Sequence, residues 1–119
     1  MNTDSYTYIN LEYLYQIADG ENDFVIEMIT DYVNQIPSQF GDLQTTLTSG
    51  DLKQTGFIAH KMKSSFQFMG VQQLVEASSM IEQLSAENAT EKVIAQVELM
   101  KPLLANVLVE LNHKLASLR

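Results

Sequence analysis

One stretch of the chain, AHKMKSSFQFMG at residues 59–70, sets a histidine among residues able to work with it. On a helix advancing about 100° per residue, Lys63, Ser64 and Gln67 share or border the side of His60. A solvent-facing neutral imidazole is a nucleophile, and with a reference pKa of about 6.5 much of it is neutral at pH 7. A lysine one turn away can pair with negative oxygens on an arriving group, and Ser64 and Gln67 can add hydrogen bonds. This set suits a phosphoryl acceptor, because phosphoryl transfer rests mainly on positioning and electrostatics.

Other chemistries fit less well. A di-iron bundle needs two Glu-x-x-His pairs, and only Glu110 with His113 has that spacing. His113 is read instead as a surface or end-of-helix residue. The five glycines are isolated, so no phosphate-cradling loop is apparent. Ser64 and Ser65 lack the base, orienting group and oxyanion pocket that a serine nucleophile requires.

The elements that must position His60 read as helices. Ile58, Met62, Phe66 and Met69 gather on one side of a segment 52–69, with His60 roughly opposite. Asp51 is a plausible N-cap for that segment and Gly70 a plausible stop. Phe57 and Phe68 fall toward the His60 side. Each either joins an exposed docking patch or folds over a neighbouring helix. Upstream, a short helix covers about Leu11–Ala18. A second stripe (Val25, Met28, Ile29, Tyr32, Val33, Ile36) is expected to bend or break at Pro37 and to resume with Phe40, Leu43 and Leu47. Val71, Leu74, Ser78, Ile81 and Leu84 describe a further helix. Asn88 with Glu91 resembles a capping box. It precedes a near-heptad stripe from Val93 to Leu118, which Pro102 should kink. No segment reads as a strand. The expectation is one all-α domain over residues 1–119, an up-down four-helix bundle with a short additional N-terminal helix.

Composition narrows the partners. The net charge of −8 disfavours nucleic acid and anionic membrane surfaces, yet Lys61 and Lys63 make a local positive spot beside His60. The absence of cysteine removes disulfides and thiol chemistry. No signal peptide is visible in MNTDSYTYIN and no apolar stretch approaches bilayer length, so a cytoplasmic protein is expected.

With these residues in view, the chain resembles the histidine-containing phosphotransfer (HPt) domain family. The resemblance lies in Ala59, His60, Met62, Lys63, the small residues Ser64 and Ser65, and the Met69–Gly70 pair. Leu74 and Ile81–Glu82 continue it, and Gly20, Phe24, Glu27, Met28, Ile29, Tyr32 and Pro37 form a similar lead-in. The match spans roughly residues 8–85. It implies a phosphocarrier in a multistep His–Asp relay. His60 would be phosphorylated, Lys63 would stabilise the phosphoryl group, and Gln67 would help to orient it. Phe57, Lys61, Ser64 and Phe68 would meet the partner, a receiver domain, with a hybrid sensor kinase as a second candidate. The receiver would supply the catalytic machinery, so no metal or cofactor is expected on this chain, and an open docking face makes a monomer the expectation. The family usually has glycine where Ser64 stands. That departure gives weight to an alternative, a helical adaptor that binds a receiver or kinase without being phosphorylated.

Overall fold

A computed structural model describes residues 5–119, so the first four residues of the stretch read for a signal peptide lie outside the described residues. Five helices follow one another: α1 (Glu12–Ala18), α2 (Asn22–Thr48), α3 (Leu52–Phe68), α4 (Gln72–Ala86) and α5 (Thr90–Leu118). No strand occurs among the described residues. Connections of three residues join α2 to α3, α3 to α4 and α4 to α5. Such short links force antiparallel neighbours. The last four helices pack in a ring, α2 against α3, α3 against α4, α4 against α5 and α5 back against α2, while α1 lies on α2. A helix of 29 residues rising about 1.5 Å per residue accounts for the 45 Å long axis of the bundle.

The stripes read from the sequence form the core. Val25, Ile29, Tyr32, Ile36 and Leu43 of α2 meet Ile58, Met62 and Phe66 of α3 in a buried cluster, joined by Leu74 and Ile81 of α4 and by Val93 to Leu115 of α5. The two prolines do not end their helices: of the bend or break expected at Pro37, the break does not occur. A proline in a helix interior costs about 3 kcal/mol or more, whereas each fully buried aliphatic side chain contributes about 1.5–3 kcal/mol. Ile36 and Leu43, both 0% exposed, flank Pro37, so breaking the helix there would forfeit more than the proline costs. Pro37 and Pro102 are themselves exposed.

The expected capping box at Asn88 does not form. Asn88 is left-handed (φ 57°). Its N–H donates to Ser85 O, and that of Ala89 to Leu84 O. This is a Schellman closure of α4. Asparagine tolerates the left-handed region about as readily as it caps an N-terminus, and here the first use wins. Gly70 (φ 70°) closes α3 in the same way, with Gly70 N–H on Gln67 O and Val71 N–H on Phe66 O. Asp51 does cap α3, its carboxylate accepting from Gln54 N–H at 3.2 Å.

The segment before α1 is part of the bundle. Ile9, Leu11 and Leu14 are buried, and Asn10 N–H donates to Met69 O at 2.8 Å across the α3–α4 turn. The Glu110 carboxylate on α5 accepts from the backbone N–H groups of Thr7, Tyr8 and Ile9, each at 3.0 Å. His113 is exposed as read from the sequence, and its Nδ1 lies 2.8 Å from the Tyr6 hydroxyl. The one Glu-x-x-His pair of the chain thus holds the N-terminal segment.

Tyr32 carries a polar cost within the core. It is 4% exposed, its hydroxyl has no hydrogen-bond partner, and burial, with the Asp31 charge adding to it, pushes its pKa up to about 12. Removing an unsatisfied buried hydroxyl while keeping the ring is expected to raise stability by about 1 kcal/mol. Denaturant unfolding of Tyr32→Phe should show this at neutral pH. The gain should widen above pH 10, because the unfolded tyrosine ionises before the folded one.

Candidate functional site

His60 projects from the middle of α3 with its side chain 60% exposed. The helix side behind it is buried through Ile58, Met62 and Phe66, which fixes the direction in which the histidine points. Its Nδ1 lies 3.0 Å from Oε2 of Glu82 on α4. The other carboxylate oxygen, Oε1, accepts from Lys63 Nζ at 3.3 Å. One carboxylate therefore joins the two residues that the sequence singled out.

This contact decides the form of the imidazole. An ionised carboxylate only accepts hydrogen bonds. The proton between the two groups therefore sits on Nδ1, and in the neutral ring Nε2 holds the lone pair. Glu82 is ionised at neutral pH and keeps its charge to lower pH than an ordinary glutamate. Partial burial pushes its carboxyl up, but the hydrogen bonds from His60 and Lys63, with the charges of both, outweigh burial and hold it below the ordinary value of 4.5. A carboxyl lowered in the folded state contributes stability that is complete above its unfolded value and is lost as pH falls through the lowered one. Following the Glu82 carboxyl carbon by NMR should give a midpoint below 4.5, the ordinary value. Lys63→Ala should move that midpoint upward.

The remaining predicted residues divide into two groups. Ser64 and Gln67 are exposed along the His60 side, but among the described residues neither makes a hydrogen bond to His60. Phe57 is 54% exposed, and Lys61 Nζ sits 5.1 Å from its ring centroid as a cation over an aromatic face. Phe68 is not a free docking side chain. It packs against the core and stacks on Tyr13 of α1, with ring centroids 5.5 Å apart and planes 19° from parallel. Tyr13, itself 54% exposed, shares that shoulder of the site and was not singled out from the sequence.

In the sequence Glu82 enters only through the Ile81–Glu82 pair of the family resemblance, which assigns it no role. The signal for it was present, since His60 and Glu82 are nearly equidistant from the Gly70 turn. In an antiparallel helix pair such positions lie at similar heights. The local charge reinforces the site. Helix α3 carries Lys53, Lys61 and Lys63 and no acidic residue, in a chain whose net charge is −8. A negatively charged group or an acidic partner surface is attracted to this helix. No group of three or more His, Cys, Asp or Glu side chains able to hold a metal ion occurs among the described residues. No helix there is long and apolar enough to cross a membrane.

Comparison with known proteins fits this geometry. The model of the Hpt domain family matches residues 27–119. The match extends through α5, which the residue-by-residue resemblance left aside, and begins after the lead-in at Gly20 and Phe24. No curated protein and no solved structure matches the chain. A family match over most of the sequence, on a ring of helices that presents a histidine outward, leads to one conclusion: this chain belongs to the Hpt domain family, whose members have a phosphotransfer role in His–Asp relays.

Proposed function

We propose that this chain is a histidine phosphocarrier in a multistep His–Asp relay. His60 takes the phosphoryl group from the aspartyl phosphate of one receiver domain and passes it to the aspartate of another. The observation that carries this reading is the 3.0 Å contact of His60 Nδ1 with Glu82, which leaves the Nε2 lone pair on an exposed ring.

In the forward step the Nε2 lone pair forms a bond to phosphorus as the bond from phosphorus to the aspartyl oxygen breaks. The released carboxylate keeps the bonding pair. The ring gains positive charge while Nδ1 keeps its proton, and Glu82 lies where it stabilises that charge. In the onward step the same electrons return to the ring as the next aspartate takes the phosphoryl group. Lys63 is half-buried and already within reach of the site. It turns from Glu82 toward the arriving phosphoryl oxygens. Ser64 borders the approach, and Phe57, Lys61 and the Tyr13–Phe68 shoulder flank it as the surface the receiver meets. The receiver brings its own acidic pocket and metal ion, and this chain is the carrier rather than the catalyst. We place it in the cytoplasm as a monomer with this face open.

The test is to incubate the protein with a receiver carrying a labelled aspartyl phosphate. The expected result is acid-labile, base-stable label that peptide mapping assigns to residue 60. Label on His113 overturns the site. No label, with receiver binding retained across several receivers, overturns the carrier and favours the adaptor.

A further inference from the structure

Gly56 lies on α3 one turn before His60 and is buried. Glycine in a helix interior is destabilising relative to alanine. Its backbone is not left-handed, so no special conformation calls for glycine at this position. What the missing side chain provides is proximity. A Cβ placed there would lie 3.2 Å from Ser85 Cβ, 3.6 Å from Glu82 O and 3.8 Å from Glu82 Cα. The backbone of α4 therefore rests on α3 at Glu82, the residue whose carboxylate holds His60. Ser85 belongs to the same seam. Its hydroxyl is buried without a hydrogen-bond partner, which is tolerated where a small side chain is needed.

We propose that Gly56 is a positioning residue for His60: by letting the Glu82 backbone lie against α3, it brings the carboxylate within hydrogen-bond distance of Nδ1 and so keeps Nε2 unprotonated. The role rests on the phosphocarrier reading, but the geometry it claims is independent of any receiver. Glu82 spans two donors at once, His60 Nδ1 at 3.0 Å and Lys63 Nζ at 3.3 Å. The tight contact would be with Ser85, one turn along α4, and a displacement of α4 started there is carried to Glu82, where it lengthens the reach to both donors. Alanine at 56 meets Ser85 Cβ at a distance a small shift can relieve. Leucine adds three further carbons beyond that Cβ and is expected to drive α4 outward at Ser85.

The experiment records long-range 1H–15N spectra of the histidine rings in the unphosphorylated protein at about pH 8.5, above the reference range of imidazole. Wild type, Gly56→Ala and Gly56→Leu are compared, with His113 as an internal reference and circular dichroism of the same samples as the measure of folding. The wild type is expected to show Nδ1 as the protonated nitrogen of His60. Gly56→Leu should revert to a mixture rich in the Nε2-protonated form while His113 is unchanged. Gly56→Ala should fall between them, and it carries the test if the leucine variant does not fold. Phosphoryl acceptance should fall about ten- to hundredfold in the leucine variant, the cost of losing one hydrogen bond to a charged group. A wild type with Nε2 protonated, or a folded variant series with unchanged His60 signals, overturns the proposal. If the wild type itself takes no label but the tautomer shifts across the series as expected, the carrier reading fails and the positioning role stands.

Discussion

His60→Gln should reduce phosphoryl acceptance to background while leaving the fold and receiver binding intact. The nucleophilic lone pair is the only feature the substitution must remove. The side chain is 60% exposed and lies opposite the buried face of α3, so no core contact is lost. Glutamine suits a helix interior better than histidine does, and its amide can still donate to Glu82, so Lys63 keeps its partner in place. The expected change in stability is within about 0.5 kcal/mol, as for most surface substitutions. Labelling from a phosphorylated receiver, thermal unfolding and receiver binding on one preparation check all three points. Label retained by the variant would show that another residue accepts the phosphoryl group. Loss of binding together with loss of label would show that His60 is needed for docking as well as chemistry.

Gly70→Ala should cost about 3 kcal/mol. A left-handed conformation costs an L-residue about 1–2 kcal/mol, and Gly70 sits at φ 70°. A Cβ at this position would also collide with Asn10 O and lie 2.8 Å from Asn10 Cβ. These are not flexible side-chain ends. Asn10 is tied to the turn by its own N–H on Met69 O at 2.8 Å, so relief requires the N-terminal segment to lift. For a domain of this size about 3 kcal/mol corresponds to a fall in Tm of roughly 10–15 °C. Hydrogen exchange should show the loss first at the amides of Thr7 to Asn10. A variant with a Tm within about 3 °C of wild type and a protected Asn10 amide would refute the clash.

The two variants probe different kinds of information in the sequence. The His60 side of α3 was legible because a helix has a fixed angular step and the opposite face, Ile58, Met62 and Phe66, is uniformly apolar. The stripe of α5 was legible for the same reason, and Val93, Val97, Met100, Leu104, Val107, Leu111 and Leu115 are all buried. The partner of His60 was not assigned, because Glu82 is brought in by the packing of one helix on another, and periodicity within a single helix does not report that. Pro37 misled in the opposite direction. Its local preference is real, but the packing on either side of it dominates. Asn88 misled because one residue type serves two opposite ends of helices. Phe68 could be placed on an outward side but not paired, since its partner Tyr13 lies on a helix more than fifty residues away in the chain.

The carboxylate of Glu110 gathers three successive amides that precede it by 101 to 103 residues. The neighbouring helices of the bundle are linked by short turns, so most of the core forms from contacts between adjacent parts of the chain, the kind that form quickly. The stretch around Thr7 to Ile9 has no such neighbour. During synthesis it leaves the ribosome ahead of α5 and stays without this anchor until that helix has emerged. In refolding it must close a loop of about a hundred residues before its amides are satisfied. The expected order of folding runs against the order of the sequence, with the first described residues among the last to dock. A rapid-mixing experiment that reads burial at Tyr8 should lag behind one that reads the α3–α4 pair.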